Sequence, residues 1–111
     1  MPYDRVLAGR IRERLSHVAP VEEKAMFGGL AFLVGGNMAV AASGEGGLLV
    51  RVDPAESESL VAGSNARPME MRGRSMPGWL RVDADDVASE EELAAWVRRG
   101  ISFARSLPAK R

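Results

Sequence analysis

Four arginines between positions 67 and 81 alternate with methionine and tryptophan side chains. The arginines are Arg67, Arg72, Arg74 and Arg81, and the apolar residues among them are Met69, Met71, Met76 and Trp79. Guanidinium groups beside flexible thioethers and an indole are suited to bind an anionic ligand or a protein partner. The alternative is an ordinary strand with Met69 and Met71 in the core, and we favour it because exposed charges opposite a buried strand face are the normal pattern. The four arginines are nevertheless our candidate ligand or partner surface.

The other residues that could do chemistry lack the partners that catalysis or metal binding needs. His17 is the only histidine, and no nucleophile or carboxylate is signalled beside it. The acidic stretch Asp83–Asp86 does not begin a calcium loop, since Ala88 and Ala94 stand where a glycine and a glutamate are required. The glycine-rich stretch 44–47 is not followed by the lysine and hydroxyl residue of a phosphate loop. We therefore predict no catalytic residue, metal site or cofactor, and expect the protein not to be an enzyme.

Composition and charge are typical of a soluble domain without a strong electrostatic field. The chain has 15 basic and 15 acidic residues, a formal net charge of zero, 46% hydrophobic residues and no cysteine. Balanced charge argues against general attraction to nucleic acid or anionic lipid. No uninterrupted apolar stretch reaches the roughly 20 residues of a membrane helix. The absence of cysteine is compatible with a reducing compartment, so we expect one cytoplasmic domain over residues 1–111.

The uncharged stretch Met26–Val40 is the centre of the predicted fold. Its Gly-Gly-Asn segment at 35–37 tolerates the positive φ that a two-residue hairpin turn requires, so the stretch predicts two antiparallel strands. Gly28 and Gly29 are expected inside the first of these strands, where glycine is unfavourable unless a bulge or close backbone approach needs the space. Alternation along the two strands predicts one core-facing set, which consists of Met26, Leu30, Phe32, Met38 and Val40.

Periodicity predicts three helices and three further strands around this hairpin. The helices are expected at Tyr3–Val18, Asp53–Gly63 and Ser89–Leu107, and the strands at Leu48–Val52, Met69–Arg72 and Trp79–Val82. Gly9 weakens the first helix, which we attribute to a need for close packing, and Pro77-Gly78 is expected to form a turn. The element order is α-β-β-β-α-β-β-α. Short connections favour an antiparallel five-stranded sheet covered by helices, an α+β two-layer sandwich.

Several segments occur in an order that is informative about the family. They are Met26-Phe27-Gly28-Gly29, the glycine-turned hairpin, Leu48–Val52, Arg67–Met71 and the closing helix around Trp96. Together they resemble the N-terminal domain of the TfoX/Sxy family, which is named for regulators of natural competence that act with the cyclic-AMP receptor protein at promoters. The resemblance implies a secretion-chaperone-like α-β3-α-β2-α fold and makes Met26, Phe27, Gly28 and Gly29 a structural family motif. The larger regulators also carry a C-terminal domain, and we expect this chain to be a stand-alone copy of the N-terminal one.

The resemblance favours a small regulatory or interaction module that binds a protein partner and forms a homodimer. One alternative is nucleic-acid binding through the arginines of residues 5–14 and the basic residues from 98 onward. The other is a small anionic-ligand binder or unrecognised enzyme that uses Arg72 and Arg74. Neutral net charge counts against the first alternative, and the missing nucleophile and base count against the second. We expect no specific DNA binding by the domain alone.

Overall fold

A single antiparallel sheet organises the computed structural model, which describes residues 3–17, 21–26 and 28–108. The helices are α1 (Arg5–Arg14), α2 (Ser57–Ala62) and α3 (Glu90–Ser106), with short 3₁₀ turns at Pro54–Glu56 and Ala84–Val87. The strands are β1 (Val21–Met26), β2 (Gly29–Val34), β3 (Asn37–Ala42), β4 (Leu48–Arg51), β5 (Arg67–Met71) and β6 (Arg74–Val82). Their order across the sheet is β1-β2-β3-β4-β6-β5, and all neighbours are antiparallel. The α+β class with helices on an antiparallel sheet is confirmed.

The sheet has six strands, so the predicted number of five was wrong. The additional strand is β1, an edge strand whose four central residues are exposed. Its sequence, Val-Glu-Glu-Lys-Ala-Met, lacks an apolar alternation, and the strand is held by its backbone pairing with β2. Gly28 was wrongly expected inside a strand: it has φ +76° and lies in the tight turn between β1 and β2. Phe27, which precedes Gly28 in the sequence, lies outside the described residues.

The hairpin of β5 and β6 also differs from the prediction in the position of its turn. The turn is formed by Arg72 and Gly73, with φ values of +54° and +78°. Pro77-Gly78, which was expected to turn the chain, lies inside β6. Gly78 has φ +86°, and the pairing with β5 slips beside it, so this dipeptide distorts the strand instead of ending it. The turn predicted at Gly35 and Gly36 is confirmed, with φ values of +61° and +81°.

The helices begin at the residues whose side chains can cap them. Asp4 Oδ1 accepts hydrogen bonds from the backbone of Val6 at 2.9 Å and of Leu7 at 3.1 Å, so α1 starts later than the predicted Tyr3. The predicted end of this helix at Val18 lies outside the described residues. Gly9 was wrongly assigned a role in close packing, since a Cβ there would meet no atom within 4 Å. Ser89 caps α3, as its Oγ accepts from the Glu92 N–H at 3.1 Å.

The main core lies between the helices and one face of the sheet. The stripe predicted for the last helix is confirmed by six buried residues: Leu93, Trp96, Val97, Gly100, Ile101 and Ala104. Leu107, the last member of the predicted stripe, is only half-buried. The stripe packs on Phe32, Val40 and Leu80 of the sheet within one buried cluster. No helix of the described residues is long and apolar enough to cross a membrane.

The set of residues predicted to face this core is divided between the two faces of the sheet. The helix side holds Leu30, Phe32 and Val40, whereas the opposite side holds Met26 and Met38. A β-bulge is the reason in β3: the register with β2 shifts at Ala39, which places Met38 and Val40 on opposite faces. Met26 lies on β1 rather than β2, so the alternation of β2 does not extend to it.

Candidate functional site

Every methionine after Met1 lies on the sheet face opposite the helices. Ala31, Met38, Ala41, Leu49 and Met69 form a buried cluster there, and Met26, Leu33, Met76 and Trp79 pack against it half-buried. Met71 lines the same cavity as Met26 and Met69, and it is 39% exposed. We call the set Met26, Met38, Met69, Met71, Met76 and Trp79 the methionine face. None of the described helical residues belongs to this cluster. This side of the sheet is therefore covered by its own long, flexible side chains and not by a helix.

The β5–β6 hairpin positions most of the methionine face. Met69 and Met71 alternate along β5 and share a face, and Met69 lies opposite Met76 of β6. Trp79 follows the distorted Pro77-Gly78 segment on the same strand. Its ring centroid lies 5.1 Å from the guanidinium carbon of Arg51, which is a favourable cation–π distance.

Arg51 was not among the residues selected from the sequence. Its guanidinium carbon also lies 5.5 Å from the ring centroid of Phe103 on α3, so this arginine joins β4, β6 and α3. Alternation along β4 gave no signal for this role, because an arginine next to two buried apolar neighbours resembles any solvated strand residue.

A cavity of about 150 Å³ lies in the methionine face, and we call it the methionine cavity. Its apolar lining includes Met26, Met69, Met71, Ala41 and Leu49, and its polar lining includes Ser43, Glu45, Glu70 and Arg81. An apolar cavity of this volume can hold a benzene ring. Pockets for drug-sized ligands and cofactors measure about 300–1,000 Å³, so this cavity is suited to a single apolar side chain.

Arg81 presents a positive charge at the polar side of the methionine cavity. Its NH1 donates to Ser43 Oγ at 3.2 Å, and its NH2 lies 3.1 Å from Glu45 Oε2. The Arg81 side chain is 21% exposed and that of Glu45 is 78% exposed. An ion pair with so exposed a partner contributes little to stability. Ser43 thus orients the Arg81 guanidinium by a hydrogen bond. Glu45, its exposed carboxylate partner, can be replaced by another carboxylate at low cost.

The structure brings together two of the four candidate arginines. Arg67 and Arg81 lie opposite each other on β5 and β6, whereas Arg72 and Arg74 lie exposed at the hairpin turn. Arg67 donates a hydrogen bond to Asp83, so this charge also has a carboxylate partner. Of the two methionines assigned to a core by the alternative interpretation, Met69 is buried and Met71 is not.

The comparison with protein families agrees with the order of these elements. The family model described as the TfoX N-terminal domain matches residues 13–104 of the chain. The chain belongs to the TfoX N-terminal domain family. The matched range includes all six strands and therefore the whole methionine face. In the comparisons with curated proteins and with solved structures, no protein matched closely enough to be counted as a relative.

The Met26–Gly29 motif is one of the segments that together resemble the TfoX N-terminal domain, and its described residues Met26, Gly28 and Gly29 lie where β1 leads into β2. A Cβ on Gly29 would lie 2.1 Å from the carbonyl oxygen of Ala42, so only glycine lets β3 approach this closely. Gly28 needs its positive φ, which glycine adopts at low cost. Met26 contributes to the methionine cavity. The backbone requirements of both glycines agree with a structural role for the motif.

Three of the four arginines of α1 contact carboxylates of the same TfoX N-terminal domain. Arg10 Nε and Arg14 NH2 lie 3.0 Å and 2.8 Å from the carboxylate oxygens of Glu90 at the start of α3. Arg12 makes two hydrogen bonds to Glu23 of β1, of 2.6 Å and 2.8 Å. Hydrogen bonds from Arg14 and Arg10 lower the pKa of Glu90, and those from Arg12 lower the pKa of Glu23.

His17 and the acidic stretch do not line the methionine cavity. His17 is exposed after the end of α1, and Asp86 accepts a hydrogen bond from Asn65 Nδ2 at 2.9 Å. Within residues 3–17, 21–26 and 28–108, no group of three or more histidine and acidic side chains could hold a metal ion.

Proposed function

We propose that this TfoX N-terminal domain is a non-enzymatic, cytoplasmic interaction module that binds a regulatory protein partner through its methionine face. One observation carries the proposal: every internal methionine and Trp79 lie on the face without helices, and Met71 reaches the solvent. Thioether side chains are flexible and polarisable, so they adapt to apolar partners of different shape. The same residues would serve a purely internal core less well than branched side chains with well-defined rotamers.

The positions of the remaining candidate residues support a binding role more than a catalytic one. In the part of the chain that the structure describes, no hydrogen bond joins His17 to a carboxylate or a hydroxyl group. Arg72 and Arg74, on which the ligand-binding alternative rests, are exposed and do not line the methionine cavity.

Affinity capture with matched surface variants tests the proposal. The baits are the unchanged domain, Met71→Glu on the methionine face, and Val6→Glu on α1. Val6 is 74% exposed and is, among the described residues, the other large exposed hydrophobic side chain. We expect a protein captured by the unchanged bait to be lost with Met71→Glu and retained with Val6→Glu. The captured protein is then purified and its binding to all three forms is measured by calorimetry.

Thermal unfolding of each variant separates loss of the surface from loss of the fold. Equal binding by the unchanged domain and a folded Met71→Glu variant would exclude the methionine face as the contact surface. Loss of binding with Val6→Glu but not with Met71→Glu would assign the contact surface to α1 instead.

The proposal includes the expectation that the domain alone does not bind duplex DNA specifically. Arg10, Arg12 and Arg14 already contact carboxylates, and the Arg99 guanidinium carbon lies 4.8 Å from the ring centroid of Trp96. Phosphate contacts require charges that are free to replace counterions. Titration of a labelled duplex at physiological salt is expected to show no submicromolar binding. Tight binding with a steep salt dependence, abolished when Arg98, Arg99 and Arg105 are replaced, would contradict this.

A further inference from the structure

The methionine cavity combines an apolar lining with one guanidinium group, that of Arg81, and with the carboxylates of Glu45 and Glu70. Met26, Met69 and Met71 line it together with Arg81, so a group that enters between the thioethers comes close to a positive charge. Its volume of about 150 Å³ accommodates one leucine-sized or aromatic side chain. A buried apolar side chain in a fitted pocket is the usual anchor of a protein interface.

The hydrogen-bonding state of Arg81 indicates which charge the occupant carries. Ser43 Oγ holds the guanidinium from one side at 3.2 Å, and the carboxylate of Glu45 pairs with it at 3.1 Å. Glu45 belongs to the loop between β3 and β4, and its side chain is 78% exposed. A carboxylate of the occupant would therefore replace an exposed partner at low cost and gain a partly desolvated, preoriented guanidinium.

We infer that the methionine cavity is the anchor site for a partner segment in which a large apolar side chain stands next to an acidic residue. This inference rests on the proposed function and specifies the chemistry of the partner. The apolar side chain occupies the space between Met26, Met69 and Met71. The neighbouring carboxylate takes the place of Glu45 on Arg81.

Methyl spectra of the domain with short peptides test the anchor. The probes are two six-residue peptides, Gly-Ser-Leu-Asp-Ser-Gly and the same peptide with asparagine in place of aspartate. We expect the aspartate peptide to shift the methyl signals of Met26, Met69 and Met71 and to bind about tenfold more tightly than the asparagine peptide, as a charge-assisted hydrogen bond implies.

Variants of the two charged residues assign the effect to Arg81. Arg81→Gln is expected to bind both peptides with the weaker affinity. Glu45→Gln is expected to bind the aspartate peptide more tightly, because it removes the carboxylate that competes for Arg81. Glu70→Gln is the matched control, since Glu70 lines the same cavity without an ion pair to Arg81 in the described residues.

The outcomes separate failure of the anchor from failure of the proposed function. Equal affinity of the two peptides, or no methionine methyl shift at millimolar peptide, would overturn the anchor while capture that depends on Met71 would still stand. If Glu45→Gln bound the aspartate peptide with unchanged affinity, the inference that the peptide carboxylate replaces Glu45 on Arg81 would be wrong. Capture that does not depend on Met71 would remove the proposed function itself.

Discussion

At the scale of single residues, Gly9 and Gly100 occupy helices with different surroundings. A Cβ on Gly9 would meet nothing within 4 Å, whereas a Cβ on Gly100 would lie 2.4 Å from the carbonyl oxygen of Ala39. Helix propensity alone favours alanine at both positions. The contact with β3 reverses that preference at Gly100, because α3 lies directly on the backbone of the sheet.

Replacing each of these glycines by alanine should change stability in opposite directions. Gly9→Ala is expected to raise the free energy of unfolding by about 0.5–1 kcal/mol, since it lowers the backbone entropy of the unfolded chain. Gly100→Ala is expected to lower it by about 1–3 kcal/mol through overpacking. Urea denaturation of the two variants measures both values. A gain in stability at Gly100 would show that α3 can move away from β3 without cost.

Arg72 is the one described residue other than glycine with a positive φ, at +54°. The left-handed conformation costs most side chains about 1–2 kcal/mol, whereas asparagine adopts it more readily. We expect Arg72→Asn to raise the free energy of unfolding by up to about 1 kcal/mol. Arg74→Asn removes the same charge from a strand residue, and we expect it not to raise the free energy of unfolding. Equal effects of the two variants in urea denaturation would assign the change to charge rather than to backbone conformation.

At the scale of elements, α1 is joined to α3 by charge as well as by core packing. Arg10 and Arg14 both reach Glu90, and Arg10 NH2 also donates to the carbonyl of Ala88 at 3.1 Å. Glu90 is the first residue of α3, where a negative charge also complements the helix dipole. One carboxylate thus holds two arginines of one helix to the start of another.

The pKa of Glu90 predicts how this contact depends on pH. Hydrogen bonds from Arg14 and then Arg10 lower the folded-state pKa of Glu90 below its ordinary value of 4.5. The stabilisation is therefore complete above about pH 4.5 and is lost as the pH falls through the folded-state pKa. The difference in unfolding free energy between the unchanged domain and Glu90→Gln should be largest near neutral pH and should shrink in acid.

Glu91→Gln is the control for this experiment. Glu91 lies in the same helical turn and shares the helix dipole, but in the described residues it has no arginine partner. Its substitution should cost less at neutral pH than Glu90→Gln. Chemical denaturation at pH 7 and pH 3 measures both differences, and a Glu90→Gln effect that is the same at both values would contradict the assignment.

At the scale of the whole molecule, the sheet has two edges that differ in chemistry. The β5 edge contains Pro68, which cannot donate a backbone hydrogen bond, and its register with β6 is irregular. The β1 edge carries Glu22, Glu23 and Lys24, a charge pattern that discourages unspecific strand pairing. A second copy of the chain can still pair with β1 where the charges match.

The homodimer expected from the sequence stays a prediction, and β1 indicates one arrangement for it. Antiparallel pairing of two β1 strands about Glu23 keeps the helices of both copies on one side of a continuous sheet. In this register Glu22 of each copy lies opposite Lys24 of the other copy, which gives two equivalent pairs of opposite charge. Opposite charges at directly facing strand positions attract. The Glu23 charge at the centre is already compensated by Arg12.

Light scattering with charge exchange tests this arrangement. The unchanged domain is expected to have the mass of a dimer at high micromolar concentration, and Lys24→Glu the mass of a monomer, because like charges then face each other. The double variant Glu22→Lys with Lys24→Glu restores the opposite charges and should restore the dimer. A monomer mass for the unchanged domain would exclude the homodimer, and a dimer for Lys24→Glu would exclude this register.

Features that depend on a few neighbouring residues were predictable from the sequence alone. The cap at Ser89, the buried stripe of α3 and the turn at Gly35 and Gly36 were predicted and confirmed. Each is decided within one or two turns of chain, by an oxygen that can accept, by helical periodicity or by freedom to adopt positive φ. The antiparallel α+β class followed from the same local signals and the short connections between them.

Features that depend on a distant segment were decided only by the tertiary structure. The polar strand β1 exists because β2 offers it a backbone partner, and its own residues carry no strand periodicity. The bulge at Ala39 places Met38 and Val40 on opposite faces of the sheet, since one extra residue reverses the side chains after it relative to those before it. The local sequence pattern indicates which side chains of a strand alternate. Which face of the sheet each alternating group of side chains occupies depends on the pairing register with the neighbouring strand. For this reason the methionines were found in the sequence, while their assembly into one face with Arg81 at its cavity was not.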